Sequence, residues 1–169
     1  MNPDALKSYQ EKRNFAVTSE PNPPKIADKR ANSKKMIFVV QEHHSRQLHY
    51  DFRLEVDGVL KSWAVPKGLS MNPKDKRLAV QTEDHPIEYA SFEGTIPEGE
   101  YGAGTVVIWD RGIYNNRSNK DGQEISLSQA LKSGHASFWL EGKRLQGGFA
   151  LTRTPRGWLL VKMRDEKAE

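Results

Sequence analysis

The side chains best suited to chemistry stand at alternate positions of one short run. His49, Asp51, Arg53 and Glu55 fall at every second residue, with Leu48, Tyr50, Phe52, Leu54 and Val56 between them. A β-strand sends successive side chains to opposite faces. The run therefore predicts a strand with one apolar face and one face of imidazole, carboxylate and guanidinium. His49 and Asp51 then point the same way, spaced to grip one cation, and His43 can fold back from before the strand as a third ligand. Two imidazoles and one carboxylate, with open positions for water or substrate, suit Mn²⁺, Fe²⁺ or Zn²⁺. The same spacing also fits a solvated strand face with no ion. Arg53 shifts the balance. A guanidinium one step past Asp51 repels a cation unless an anion sits between them, and its parallel donors match a phosphate. Its plain alternative is a surface ion pair with Glu55 or Asp57, which contributes little.

Other candidates lie further along. His85 precedes Pro86 on a rigid corner, and Tyr89 is four residues on. Either could donate to a phosphate oxygen or protonate a leaving group; the alternative is a structural pair. Lys67 and Arg77 add positive charge beside strand ends, or are solvated surface. His44 is a spare imidazole or an exposed one. Gly94, Gly99, Gly102 and Gly104 match no phosphate-cradling loop, because the Gly-Lys-Ser/Thr ending and a following helix are missing. Turn chemistry accounts for them better. Trp63, Trp109, Trp139 and Trp158 all lie in strand runs and are read as core or seam rather than base-stacking platforms.

The elements that must position these residues are mostly short strands. Residues 1–14 predict a short helix, with Leu6 and Tyr9 on one face and Asp4 near its start. Residues 15–33 are polar and proline-rich, with Pro21, Pro23 and Pro24, and predict an extended arm. Strands are predicted over 36–41, the 48–56 run, 59–65, 77–82, 105–109, 136–140, 148–152 and 158–163. Asp57-Gly58 marks a tight turn between two of them. Glu83 to Pro86 is expected to end the fourth, and residues 86–92 to form a helical turn. Asp110-Arg111-Gly112 is expected to close the strand before it. Ser126 with Gln129 makes a capping box, and Gly134 supplies a stop, so a helix is predicted over 126–134. Seven or eight short strands with close turns and little helix predict a mainly β fold, a small antiparallel barrel with one or two short flanking helices. The predicted layout is a helix and arm over 1–35 docked on the body, a barrel over 36–165, and a frayed tail over 166–169.

Composition narrows the functional classes. The chain of 169 residues has 36% apolar and 28% charged side chains, enough for one domain with a real core. It contains no cysteine, so disulfides and thiolate metal sites are excluded and any metal must take nitrogen or oxygen ligands. The net charge of +4 suits a polyanionic partner. No apolar run approaches membrane-span length, and no secretory signal is apparent, so a cytoplasmic location without a membrane partner is expected.

With these residues in place the chain resembles a known family. His43-x5-His49-Tyr50-Asp51-Phe52-Arg53-Leu54-Glu55, Leu60 to Gly68, Arg77 to Gln81, Glu83-Asp84-His85-Pro86, Phe92-Glu93-Gly94, Tyr101 to Gly104, Trp109 to Gly112 and Gly157 to Leu160 are similar to the 3′-phosphoesterase module of bacterial DNA ligase D. The likeness runs from about Lys12 to Asp165. It implies a Mn²⁺-dependent β-barrel hydrolase, with Co²⁺ and Zn²⁺ as alternative metals. Such an enzyme trims DNA 3′ ends in non-homologous end joining, removing a terminal ribonucleoside and then the remaining 3′-phosphate. By resemblance His43, His49 and Asp51 hold the metal, Arg53 and His85 the phosphate, with Tyr89 alongside. Lys67 and Arg77 correspond to basic residues of the monoesterase step. Gln41 and Glu83 support the ligands, and Arg13 and Glu20 bring the arm to the site. The implied partners are a primer–template with a 3′-ribonucleotide or 3′-phosphate, and a separate ligase, polymerase and end-binding protein beside a stand-alone monomer.

Two positions depart from the family pattern. Asn14 stands where an aspartate is usual, and so lacks a charge. His44 replaces a commonly acidic neighbour of the first metal histidine. A non-catalytic DNA-end binding module is therefore one alternative. A second is an Fe(II) oxygenase built on His49, Asp51 and His85, against which Arg53 and the basic surroundings argue.

Overall fold

The computed structural model describes residues 5–22 and 35–169. Asp4 of the predicted helix and Pro23, Pro24 and Ser33 of the predicted arm lie outside the described residues. A short helix α1 (Lys7–Glu11) precedes β1 (Met36–His44), β2 (Leu48–Val56), β3 (Val59–Val65) and β4 (Arg77–Pro86). A 3-10 turn (Ile87–Ser91), β5 (Gly94–Ile96) and the long β6 (Gly104–Asn116) follow. Then come the small hairpin β7 (Asn119–Lys120) and β8 (Gln123–Glu124), helix α2 (Leu127–Ser133), β9 (His135–Glu141), β10 (Gln146–Thr154) and β11 (Gly157–Lys162). The strands pair in the order β1-β2-β3-β4-β11-β10-β9-β6, and β6 pairs back onto β1. This closes an eight-stranded antiparallel barrel, to whose β6 the short β5 adds at one edge.

Local chemistry explains the elements. Asp57 and Gly58 both have positive φ (50° and 82°), the geometry of a two-residue hairpin turn, so β2 and β3 pair from Val56↔Val59 upward. Ser126 accepts from Gln129 N–H while Gln129 reaches back to Ser126 N–H, and Gly134 ends α2 in the left-handed region.

An eight-stranded barrel has an interior just wide enough to be filled by side chains. Phe38, Phe52, Trp63, Phe138, Leu140, Phe149 and Leu151 fill it, all buried. Phe52 pairs across strands with Trp63 and stacks on Phe138 at 5.8 Å. Each such side chain contributes about 1.5–3 kcal/mol on burial. Leu127, Ala130 and Leu131 of α2 pack on the same core.

A second apolar cluster lies on the other surface of the wall. Tyr9 of α1, Ile87, Tyr89 and Ala90 of the 3-10 turn, Phe92, and Ile96 of β5 pack against Val39, Leu60 and Val106. The β1 wall is thus buried on both sides, which is why four consecutive residues of β1, Phe38 to Gln41, are all buried. This roof over the outer face is what positions the site.

Several elements differ from expectation. β4 continues through Glu83 and Asp84, where the register shifts, to His85 and Pro86, which pair with Leu60 and Val59 of β3. β6 continues past Asp110-Arg111-Gly112 to Asn116. There Asp110 serves a neighbouring corner, accepting from the N–H groups of Lys143, Arg144 and Leu145 at 2.9, 3.1 and 2.8 Å. The strands β5, β7 and β8 are too short to show a period. Just before the tail, Asp165 pairs with buried Lys162 at 2.6 Å and accepts from Gly148 N–H, and at its end Glu169 N–H donates to Met71 O at 2.9 Å. No helix among the described residues is long and apolar enough to cross a membrane.

Candidate active site

The antiparallel register of β1 and β2 does what spacing could only suggest. It sets His43 opposite His49 and Gln41 opposite Asp51. The turn between the strands thereby returns the earlier histidine to the polar face, and the two rings lie 4.7 Å apart. One nitrogen of each histidine and one oxygen of Asp51 lie within 4.8 Å of one another, a set that could hold a metal ion.

The ring orientations favour this use. His43 Nε2 lies 2.7 Å from Gly102 O, and His49 Nδ1 lies 3.1 Å from Gln47 O. A carbonyl oxygen only accepts, so the nitrogen facing it carries the hydrogen. The opposite nitrogens, His43 Nδ1 and His49 Nε2, both face Asp51 Oδ2, at 3.4 and 3.3 Å. Metal-ligating histidines commonly donate their other N–H in this manner, which fixes tautomer and ring plane. Gly102 can supply its carbonyl because it sits at φ 77°, where a side chain would be strained, on a loop that passes over His43.

Charge reinforces the arrangement. Burial would raise the Asp51 carboxyl, but Arg53 first, and then the two histidines to the extent that they carry a proton, overcome that and hold it well below the usual carboxylate range. The hydrogen bond with Asp51 in turn lifts His49 above its ordinary value. The position that draws a proton onto His49 is the position a divalent cation would take.

An anion-binding half adjoins this set. Arg53 is buried, and its Nε donates to Gln41 Oε1 at 2.7 Å. Gln41 is itself held by the carbonyls of Tyr89 and Phe92. The guanidinium lies 3.6 Å from Asp51 and over the Tyr89 ring at 4.8 Å. His85 is flanked by Arg53 on its Nδ1 side (3.2 Å) and by Arg13 on its Nε2 side (3.5 Å). Its Nδ1 also lies 2.9 Å from Glu83 O, so Nδ1 carries the hydrogen and Nε2 a lone pair. Burial first, then the two guanidiniums, push the His85 pKa well below its ordinary value, and the ring is neutral.

Arg13 reaches the site from beyond α1. It bridges Glu20 at 2.9 Å and Glu83 at 2.8 Å, with all three side chains buried. Glu20 also accepts from Thr18 and, at 2.6 Å, from the Tyr89 hydroxyl. Tyr89 therefore has its proton committed to Glu20, and burial pushes its pKa up. Of the two candidate acids, His85 is the one that borders the cavity with a lone pair, at Nε2, whose neighbour is Arg13 at 3.5 Å.

These side chains line one cavity of about 250 Å³. The sequence-predicted residues His43, His49, Asp51, Arg53, His85, Tyr89, Arg13, Glu20 and Glu83 all border it, and Gln41 sits behind Arg53. Lys67 and Arg77 do not; Arg77 instead lies 3.7 Å from Asp75. Asn14 is exposed and turns its Oδ1 to its own Ala16 N–H, outside the cavity lining. His44 is half exposed and pairs with Glu42 rather than joining the two ligand histidines. The grouping of His49 and Asp51 with His85 in an oxygenase triad is not formed, since His43 takes that place and His85 sits between arginines.

Spacing did not reveal Lys12, Thr82, Tyr101 or Gly102. Lys12 pairs with Glu83. Thr82 Oγ1 is buried without a hydrogen-bond partner in the cavity wall. Tyr101 stands at the mouth, and Gly102 orients His43. The readable signal was the cluster of glycines around Tyr101, which sequence alone assigned to turns.

Comparison with known proteins agrees with this geometry. The DNA Ligase D 3′-phosphoesterase domain matches residues 41–153. The multifunctional non-homologous end joining protein LigD of Pseudomonas aeruginosa is 47% identical over 168 residues, covering 96% of this chain and 19% of that protein. LigD of Mycolicibacterium smegmatis is 46% identical over 165 residues, covering 97% of this chain and 21% of that protein. The non-homologous end joining DNA repair protein LigD of Mycobacterium tuberculosis is 46% identical, with 97% and 20% covered. The chain spans about a fifth of the length of these curated relatives. The matched segment contains the histidine pair, Asp51, Arg53 and His85 together, and with them the chain belongs to the DNA ligase D 3′-phosphoesterase domain family.

Proposed function

We propose that this chain is a metal-dependent DNA 3′-end phosphoesterase. It would remove a 3′-terminal ribonucleoside as a phosphodiesterase and a 3′-phosphate as a monoesterase, leaving a 3′-OH that a ligase can join in end-joining repair. The observation that carries this reading is the convergence of His43, His49 and Asp51 beside Arg53 in one cavity. The cation side and the anion side share Asp51 and Arg53, as a phosphate bridging the two would require.

The nitrogen and oxygen donor set suits Mn²⁺, with Co²⁺ or Zn²⁺ as substitutes. A divalent ion held by His43, His49 and Asp51 supplies Lewis acidity toward a phosphoryl oxygen and lowers the pKa of a water. The protein supplies the rest. Gly102 O and Gln47 O keep the two rings aimed. Arg53, fixed by Gln41 and the Tyr89 ring, offers N–H donors to the developing negative charge on the phosphate. Arg13, braced by Glu20 and Glu83, faces the same imidazole from the other side. His85 is neutral in the free protein. A bound phosphate opposes the two guanidiniums, so the ring can take up a proton at Nε2 and pass it to the leaving oxygen, the 5′ oxygen of the terminal ribonucleoside in the diester step and the primer's 3′ oxygen in the monoester step.

The test is a primer–template with a 3′-terminal ribonucleotide and a second with a 3′-phosphate, each with and without Mn²⁺. Shortened and dephosphorylated products are expected only with metal. Folded, metal-loaded protein that converts neither substrate overturns the reading.

A further inference from the structure

The Gly99–Gly104 loop does more than hold His43. It places Tyr101 at the cavity mouth, 49% exposed, one residue from the carbonyl that orients the metal-side histidine. Most large aromatic side chains of this chain are buried in the two cores. Tyr101 is held half out of them instead. Lys12 Nζ lies 4.6 Å and the Arg13 guanidinium 5.4 Å from its ring centroid, so cations brace the ring while leaving half of it open.

The surface beyond the ring is unlike a duplex-binding face. A broad hollow of about 860 Å³ adjoins the cavity and shares Ser45 and Gly102 with it. Its wall carries Glu98 and Glu100 against Arg46. Carboxylates there disfavour a run of phosphates, and nucleic-acid backbones are bound by excess positive charge. The group that belongs beside the ring should therefore be aromatic and uncharged. At a DNA 3′ end the terminal nucleoside fits that description, because no phosphate follows it. A base stacks on an aromatic ring whatever its sequence.

We propose that Tyr101 is the stacking platform for the 3′-terminal nucleoside, and that the hollow bounded by Ser45, Glu98 and Glu100 receives that nucleoside as it leaves. The assignment rests on the phosphoesterase reading above. It makes Tyr101 a specificity residue for the diester substrate, since a bare 3′-phosphate end has no nucleoside beyond the phosphate to stack.

Two measurements test it. The first needs no turnover: a primer–template with 2-aminopurine as its 3′-terminal ribonucleoside is titrated with metal-free protein. Quenching of the fluorescence is expected with the native chain and with Tyr101→Phe, and its loss with Tyr101→Ala. The second compares kinetics on the two substrates. Tyr101→Ala should raise KM on the ribonucleoside-ended primer about tenfold more than on the 3′-phosphate primer, with kcat affected less than KM, and Tyr101→Phe should restore the native ratio. Equal losses on both substrates, or quenching that survives Tyr101→Ala, overturn the assignment. Absence of turnover by the native chain on both substrates overturns the phosphoesterase reading instead, and quenching still decides whether the nucleoside stacks on Tyr101.

Discussion

Asp51 and Asp110 are both buried carboxylates on the two strands that flank β1, 7% and 3% exposed, and they serve opposite ends. Asp110 is satisfied by the backbone. Its Oδ1 accepts from Arg111 and Lys143 N–H, and its Oδ2 from Arg144 and Leu145 N–H. These donors are fixed by the chain path, so the carboxylate stitches the 142–145 corner to β6 and has little capacity left. Asp51 is faced by side chains instead: two imidazole nitrogens and a guanidinium, all at 3.3–3.6 Å from one oxygen. Each of those partners has another role open to it. The difference shows that burial of an acid does not by itself mark a site; the nature of its donors does.

The largest effect should come from exchanging the two residues' fates. Asp51→Asn is expected to lower turnover on either 3′-end substrate by on the order of a thousandfold or more, while shifting the melting temperature by only a few degrees. Asp110→Asn sets an amide –NH₂ against backbone donors. It should cost about 2 kcal/mol and lower the melting temperature by roughly 5 °C, with turnover of the folded protein unchanged. If Asp110→Asn reduced turnover as severely as Asp51→Asn, the contrast between the two carboxylates would be gone.

A smaller effect concerns how side-chain donors are kept in place. Gly102→Ala puts a Cβ on a backbone at φ 77° and 3.6 Å from the His43 ring. Relief of that strain should move the carbonyl off His43 Nε2. Divalent-cation affinity, measured by calorimetry, is expected to fall about tenfold. Native affinity would show that the ring needs no such tether.

The His85 contribution appears in the pH dependence of stability. Its folded pKa lies well below the ordinary 6.5. Between those values the unfolded chain binds a proton that the folded chain refuses. Stability is therefore full above about pH 6.5 and falls as pH drops below it, by up to about 1.4 kcal/mol per pH unit. Urea unfolding at pH 5.5 and 7.5 should show this loss in the native chain and a smaller one in His85→Asn. Identical losses would mean that His85 is already protonated in the fold.

The smallest effect expected is that of Asn14→Asp. Asn14 uses its side-chain oxygen to accept from Ala16 N–H, which an aspartate does equally well, and it does not line the cavity. Rates on both substrates should stay within about twofold, below the roughly 1 kcal/mol of a typical single interaction. A large gain would place residue 14 in the site after all.

Legibility in the sequence followed the range of the interaction. The alternation from Leu48 to Val56 was plain, because side-chain direction in a strand is set one residue at a time. The capping box at Ser126 and the turn at Asp57-Gly58 were equally local. Arg13, Glu20 and Glu83 were not legible from spacing, since Arg13 meets a carboxylate 70 residues away; they came from family resemblance. The extension of β6 through Asp110-Arg111-Gly112 was hidden because residues that usually mark a turn were used for a distant corner. Lys67 and Arg77 carried a substrate role only through the family resemblance; their charge left solvated surface equally open, because charge carries no direction, and neither lines the cavity.

By itself the sequence determined the polar face of β2, the nitrogen and oxygen character of any metal site, and a small antiparallel barrel, all consequences of residue type and backbone period. Only the tertiary structure decided that His43 stands opposite His49, that Gly102 and Gln47 carbonyls turn both lone pairs toward Asp51, and that His85 is neutral between two arginines. Those features depend on strand register and on the roof of α1, the 3-10 turn and β5 over the outer wall. Both arise when the barrel closes and segments far apart in the chain exclude water together.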